Sequence, residues 1–239
     1  PMTAPPTPTA FEDASSDPPV RGFLHRPAAP SGTGPEPGLV LTHGAGANCQ
    51  TPLLVALADA FCQTRFTVLR CDLPFRQLRP HGPPLNSSAR DQAGLRAAVE
   101  SLRKLGLSRV LLGGHSYGGR QASMLAASEP GLVEALLLLS YPLHPPRRPD
   151  QLRTQHFPRL ETPALFVSGT RDGFGSLDEM QAALALIPAR TQLLPVEGAG
   201  HELLNPRNRA TLPPLIVQTL SSFIGAVAPG CDSPPHPVP

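Results

Sequence analysis

Lysine is almost missing from this chain: Lys104 is the only one, and arginine carries the positive charge. The net charge is only +2, too small to argue for a nucleic-acid partner or an anionic membrane surface. No apolar run approaches the ~20 residues needed to cross a bilayer. The run Ala135-Leu136-Leu137-Leu138-Leu139 reads as a buried strand. No basic segment followed by an apolar one marks a secretory signal, so a cytoplasmic protein with reduced thiols is expected. The four cysteines (Cys49, Cys62, Cys71 and Cys231) have no metal-ligand spacing and form no C-x-x-C pair. Cys49 follows a glycine-rich loop, but a small buried apolar role suits it better than a reactive one. A phosphate-loop lysine and a Gly-x-Gly-x-x-Gly run are both absent, which argues against nucleotide binding.

Proline, by contrast, is abundant and clustered. Residues 1–37 hold ten prolines and residues 229–239 hold five. This composition predicts a largely irregular Pro-rich segment over 1–37, apart from an edge strand near Val20–His25, and a disordered tail over 228–239. A single domain is expected over 38–227. Within it, apolar strand signals alternate with helical ones. Strands are expected at 39–42, 66–71, 109–113, 133–140, 163–168 and 192–196. Helices are expected at 52–63, 90–105, 117–128, 177–186 and 209–224. Strands rich in Val and Leu on both faces suit a mostly parallel sheet covered by helices on each side, an α/β fold.

One segment points to chemistry. Val110-Leu111-Leu112 leads into Gly114-His115-Ser116-Tyr117-Gly118, a Gly-x-Ser-x-Gly turn between a strand and a helix. Such a turn holds one serine in a strained backbone with its hydroxyl lifted above the sheet edge. The motif alone is weak; the strand before it and the helix-favouring Gln121–Ala127 after it strengthen it.

A serine hydroxyl is a poor nucleophile at neutral pH and needs a base within hydrogen-bond reach. Two further residues sit after apolar strands, where active sites of open α/β sheets lie. Asp172 follows Leu165-Phe166-Val167-Ser168-Gly169, and His201 lies in Gly198-Ala199-Gly200-His201. The order Ser116, Asp172, His201 assigns nucleophile, orienting acid and general base. Asp172 could equally form a turn before Gly173. His115 is adjacent to Ser116, but its side chain is expected to point away from the hydroxyl. The N–H groups of Tyr117 and of Ala45, in the loop His43-Gly44-Ala45-Gly46, are the candidate oxyanion-hole donors. His43, Gly44, Tyr141 and Arg171 are candidate substrate contacts, and either Arg120 or Arg171 is placed to favour an acidic substrate. Residues 141–162 are too few for a separate cap domain.

These motifs resemble the α/β-hydrolase superfamily across most of Gly38–Ile224. More narrowly, Leu41-Thr42-His43-Gly44-Ala45, Ser140-Tyr141-Pro142-Leu143-His144-Pro145 and Leu165-Phe166-Val167-Ser168-Gly169 resemble the dienelactone-hydrolase-like branch. That branch includes the animal testis-expressed and chromatin-complex-subunit hydrolase-like proteins. The resemblance implies an eight-stranded sheet and a Ser-Asp-His triad on Ser116, Asp172 and His201. The short N-terminus implies that one or two of the first strands are missing. True dienelactone hydrolases use cysteine at the elbow, so serine here departs from them. The expected activity is hydrolysis of a carboxylic ester or thioester, a small-molecule substrate, through an acyl-enzyme, with no cofactor and no metal. A peptidase on the same fold and a catalytically silent interaction module are the alternatives, and the oligomeric state stays open.

Overall fold

The computed structural model of the chain describes residues 7–27 and 35–226. Eight strands form one sheet: β1 (Thr9–Asp13), β2 (Val20–His25), β3 (Pro37–Thr42), β4 (Thr67–Cys71), β5 (Arg109–His115), β6 (Leu136–Leu139), β7 (Ala164–Gly169) and β8 (Thr191–Val196). Their spatial order is β1-β2-β4-β3-β5-β6-β7-β8. The first two strands pair antiparallel, β1 with β2 and β2 with β4; all other pairs are parallel. The helices are α1 (Pro52–Cys62), α2 (Pro74–Leu78), α3 (Ser88–Lys104), α4 (Tyr117–Ser128), α5 (Leu177–Leu184) and α6 (Leu212–Gly225).

The apolar runs explain the layers. In a strand, neighbouring side chains face opposite sides, so a continuous Val/Leu run feeds two cores. In β5, Val110 and Leu112 join one cluster with Leu95, Val99 and Leu102 of α3, Leu125 of α4 and Met180 of α5. Leu111 joins the other cluster, with Leu54, Leu57 and Phe61 of α1 and Ile216, Leu220 and Phe223 of α6. Both edges carry polar or ladder-breaking residues. β1 is mostly exposed, and Pro195 sits in the edge strand β8, where its missing N–H is tolerated. Proline opens α1 and lies in the first turn of α6. Ser176 and Glu179 form a reciprocal capping box that starts α5.

The N-terminal segment differs from expectation. The strand near Val20–His25 is present as β2, but it is second in the sheet, and the edge position belongs to Thr9–Asp13. Among the described residues the sheet therefore has the eight strands that the resemblance implies, with β1 and β2 supplied by the N-terminal segment. Proline density hid β1: it is a proline-free pentapeptide between Pro8 and Pro18 in which only Phe11 packs on the core. α2 was also not foreseen, because five residues opening on a proline show no helical period. The expected tail over 228–239 lies outside the described residues. Between β6 and β7, residues 140–163 hold only a single 3-10 turn at Phe157–Arg159 among the elements found. No helix among the described residues is long and apolar enough to cross a membrane.

Parallel β3, β5 and β7 end on the same rim as β8, so the loops that follow at 43–47, 116, 170–175 and 197–203 converge there. Phe61 anchors the layer beneath: it is fully buried and meets Phe66 edge-on at 5.0 Å. Phe61→Ala is expected to cost about 3–5 kcal/mol, read as a lower urea midpoint at unchanged slope; a loss under about 1 kcal/mol would mean that this layer collapses to fill the hole.

Candidate active site

The strand-to-helix turn at β5–α4 holds Ser116 at φ 52° and ψ −116°, a conformation costly for any residue with a side chain. The surroundings impose it. A Cβ on Gly114 would lie 2.6 Å from backbone atoms of Gly118 and Gly119, and one on Gly118 would lie 2.5 Å from the His43 carbonyl. Only glycine at both places lets the chain turn this sharply against the β3 loop.

Ser116 Oγ lies 2.8 Å from His201 Nε2. His201 Nδ1 lies 3.0 and 2.9 Å from the two oxygens of Asp172. The Asp172 side chain is 3% exposed and that of His201 is 20% exposed, so the acid is shielded while the imidazole reaches the surface. Asp172 Oδ1 also accepts the Phe174 N–H at 2.9 Å, so the turn-forming role and the histidine contact are met by one carboxylate. The Phe174 ring stacks on His201 with centroids 4.1 Å apart. The His115 ring lies 5.3 Å from that of His201. Its Nε2–H donates to the His201 backbone carbonyl at 2.8 Å, and burial lowers its basicity, so it braces the histidine loop as a neutral ring.

The loop after β3 is held from several sides. His43 Nδ1–H donates to the Gly44 carbonyl (2.8 Å), and Nε2 accepts the Leu73 N–H (3.1 Å). Burial lowers the His43 pKa and keeps the ring neutral in that tautomer. Arg76 of α2, only 6% exposed, donates to four backbone carbonyls: Ala45 (2.8 Å), Ala47 (2.7 Å), Gly82 (3.0 Å) and Arg79 (3.0 Å). The N–H groups of Ala45 and Tyr117 have no partner among the described residues. Asp91 of α3, fully buried, accepts from Tyr117 Oη (2.7 Å), Ser87 Oγ (2.8 Å) and Phe75 N–H (3.0 Å). Burial raises the Tyr117 pKa, so its phenol stays a donor.

The four candidate contacts stand differently. His43 and Tyr141 are 0% and 1% exposed, so neither lines an open pocket. His43 is consumed in holding the loop. Tyr141 fits among Phe157, Phe166 and His156 and donates to the Arg153 carbonyl at 2.6 Å. Gly44 does border the site: a Cβ there would lie 3.4 Å from Ser116 Cβ. Arg171 is exposed on the Asp172 loop, its backbone N–H bonded to Ala199 O at 2.9 Å. Cys49 is buried, and its thiol is pushed up to about 12, chiefly by burial, so it is unreactive. Among the described residues no group of three His, Cys, Asp or Glu side chains is placed to hold a metal.

Arg76, Asp91 and Phe174 were missed from the sequence. Asp91 reads there as an ordinary acid in the first turn of a helix, and Arg76 as one arginine of many. Their significance comes from partners some 26–31 positions away, which no local pattern records.

Comparison with known proteins agrees with this architecture. A family model described as alpha/beta hydrolase domain matches residues 35–222. A Haemophilus influenzae protein named "Putative esterase/lipase" is 34% identical over 104 residues, 43% of this chain and 33% of that protein; the match thus spans about a third of the relative's length. Dienelactone hydrolase from Anabaena variabilis superposes with TM-score 0.72 at 20% identity, covering 92% of this chain and 99% of the other. An α/β serine hydrolase without lid from Xanthomonas campestris gives TM-score 0.68 at 17% identity over 93% and 97% of the two chains.

The Arg76 clamp is directly testable. Arg76→Ala should lower stability by about 1.5–3 kcal/mol and speed amide exchange at Ala47, whose N–H bonds to Gly44 O at 3.1 Å. Unchanged exchange there would mean that the loop holds its shape without the guanidinium.

Proposed function

Because the chain belongs to the α/β-hydrolase domain family, we propose that it is a serine hydrolase cleaving a carboxylic ester or thioester of a small molecule through an acyl-enzyme. One observation carries the reading: a single imidazole within hydrogen-bond reach of both the strained Ser116 hydroxyl, at 2.8 Å, and the Asp172 carboxylate, at 2.9 Å.

On this reading His201 Nε2 takes the Ser116 proton as Oγ attacks the acyl carbon, and Asp172 holds Nδ1–H and stabilises the imidazolium. The tetrahedral oxyanion is met by the N–H groups of Tyr117 and Ala45. Arg76 and His43 hold the loop that presents the Ala45 donor, and Asp91 holds Tyr117. The alcohol or thiol leaves with the proton from His201. Water, activated by the same imidazole, then releases the acid, so the cycle needs no cofactor. The exposed rim and the short 140–163 connection favour substrates of modest size. The serine elbow and the Tyr141-Pro142-Leu143-His144 segment support a place beside, rather than within, the dienelactone hydrolases.

Turnover of p-nitrophenyl butyrate tests the assignment. Ser116→Ala should lower kcat by roughly a millionfold, and Asp172→Asn, which leaves the wrong imidazole tautomer, by about ten-thousandfold. Turnover that survives Ser116→Ala in folded protein would remove the serine from the mechanism.

A further inference from the structure

Two arginines, one on the elbow helix and one in the connection after β6, have no counter-charge among the described residues. Arg120 lies on α4, one turn after Ser116, and its backbone N–H bonds to the Ser116 carbonyl at 3.0 Å. Side chains on a helix lean toward its N-terminus, so this guanidinium is carried back toward the level of the serine. Arg153 lies in the connection between β6 and β7, its N–H bonded to the Leu143 carbonyl at 2.8 Å. That connection is fastened to the Asp172 loop: the His144 N–H bonds to the Phe174 carbonyl at 3.0 Å, and Phe174 stacks on His201. Arg120 acts on the phenols of Tyr117, next to Ser116, and of Tyr141, and Arg153 acts on the latter, so the two cations meet at Tyr141, just after β6.

Both are half-buried, and the Arg120 side chain contacts the Tyr141 phenol. Arg120 Nε is buried with no hydrogen-bond partner. Among the described residues the side chain of Arg153 makes a long 3.4 Å contact to the Pro142 carbonyl. Among the described residues neither guanidinium forms an ion pair with a carboxylate, although arginines at nine other positions have carbonyl or carboxylate partners. Each lies within reach of the other's field, and both act on the Tyr141 phenol. His156, buried near Arg120, donates Nε2–H to Ser123 Oγ at 2.8 Å while Ser123 donates to the Arg120 carbonyl; burial, Arg120 and Arg159 lower its pKa to about 4. It adds no charge and no acceptor for the pair. Two like charges partly withdrawn from water without a partner are costly, and a planar oxyanion gripped by two forks relieves that cost.

We propose that Arg120 and Arg153 form a subsite for a carboxylate carried on the acyl part of the substrate, making the protein selective for half-esters of dicarboxylic acids. This rests on the serine-hydrolase reading, and it adds the anionic group that reading leaves open.

The test compares mono-p-nitrophenyl adipate with p-nitrophenyl hexanoate, its neutral analogue of equal chain length. Wild-type protein should favour the adipate half-ester in kcat/KM by roughly tenfold or more, the yield of one charge-assisted pair. Arg120→Gln and, independently, Arg153→Gln should bring the ratio to near one. A wild-type ratio near one with both esters turned over, or a preference that both variants retain, overturns the subsite while leaving the hydrolase reading standing. Thermal shift with free adipate provides a readout that does not need turnover. A rise in Tm that the two variants lose supports the subsite even if neither ester is cleaved, in which case the hydrolase reading fails instead. No shift in the wild-type protein, or a stronger shift from inorganic phosphate than from adipate, overturns the carboxylate assignment.

Discussion

The backbone of Ser116 is the constraint from which the rest of the site follows. At φ 52° it occupies a region that costs of order 1–3 kcal/mol for a residue with a Cβ. Nothing local favours it; β5 and α4 impose it from either side, and Gly114 and Gly118 allow their backbones to meet. Were the turn to relax, Oγ would leave the line to His201 Nε2, and the Tyr117 N–H, set by the first turn of α4, would turn with it. The strain is held by burial on both faces of the sheet, since β3, β5 and β6 are closed off by helices above and below.

Around that point the fold uses backbone carbonyls and buried polar groups as braces. Arg76 gathers four carbonyls from two loops, His43 bridges two more backbone groups, His115 fixes the carbonyl of His201, and Asp91 takes three donors from α2, α3 and the elbow. Each is a buried polar group whose hydrogen bonds are met, so it rigidifies instead of destabilising. Together they join the three rim loops into one unit, which suits a site whose donors must be in place before charge develops. Arg120 stands apart from these braces, with its Nε buried and without a hydrogen-bond partner among the described residues, and functional sites are where such departures are expected.

Much of this was legible in the sequence, and the reasons for the gaps are physical. The elbow, the following helix and the loops carrying Asp172 and His201 were readable because each follows a strand with an apolar core run and brings its own turn residues. α4 is found at Tyr117–Ser128, as its composition suggests. β1 and α2 were not readable: both are five residues long, too short to show a period, and prolines crowd them. Tyr141 looked like a rim residue because it follows β6. The chain instead turns inward there, with Ser140 at φ 45°, and drives the ring among Phe157 and Phe166. Arg76 and Asp91 could not be found at all, since a brace is defined by its partners.

The central claim is that the folded environment makes Ser116 a nucleophile. Labelling with a fluorophosphonate probe, followed by peptide mass mapping, addresses it without any choice of substrate. The account predicts a single phosphonyl adduct on the peptide containing Ser116, lost when the protein is unfolded and lost in His201→Ala. Folded wild-type protein that takes no label, or takes it at another residue, would contradict it.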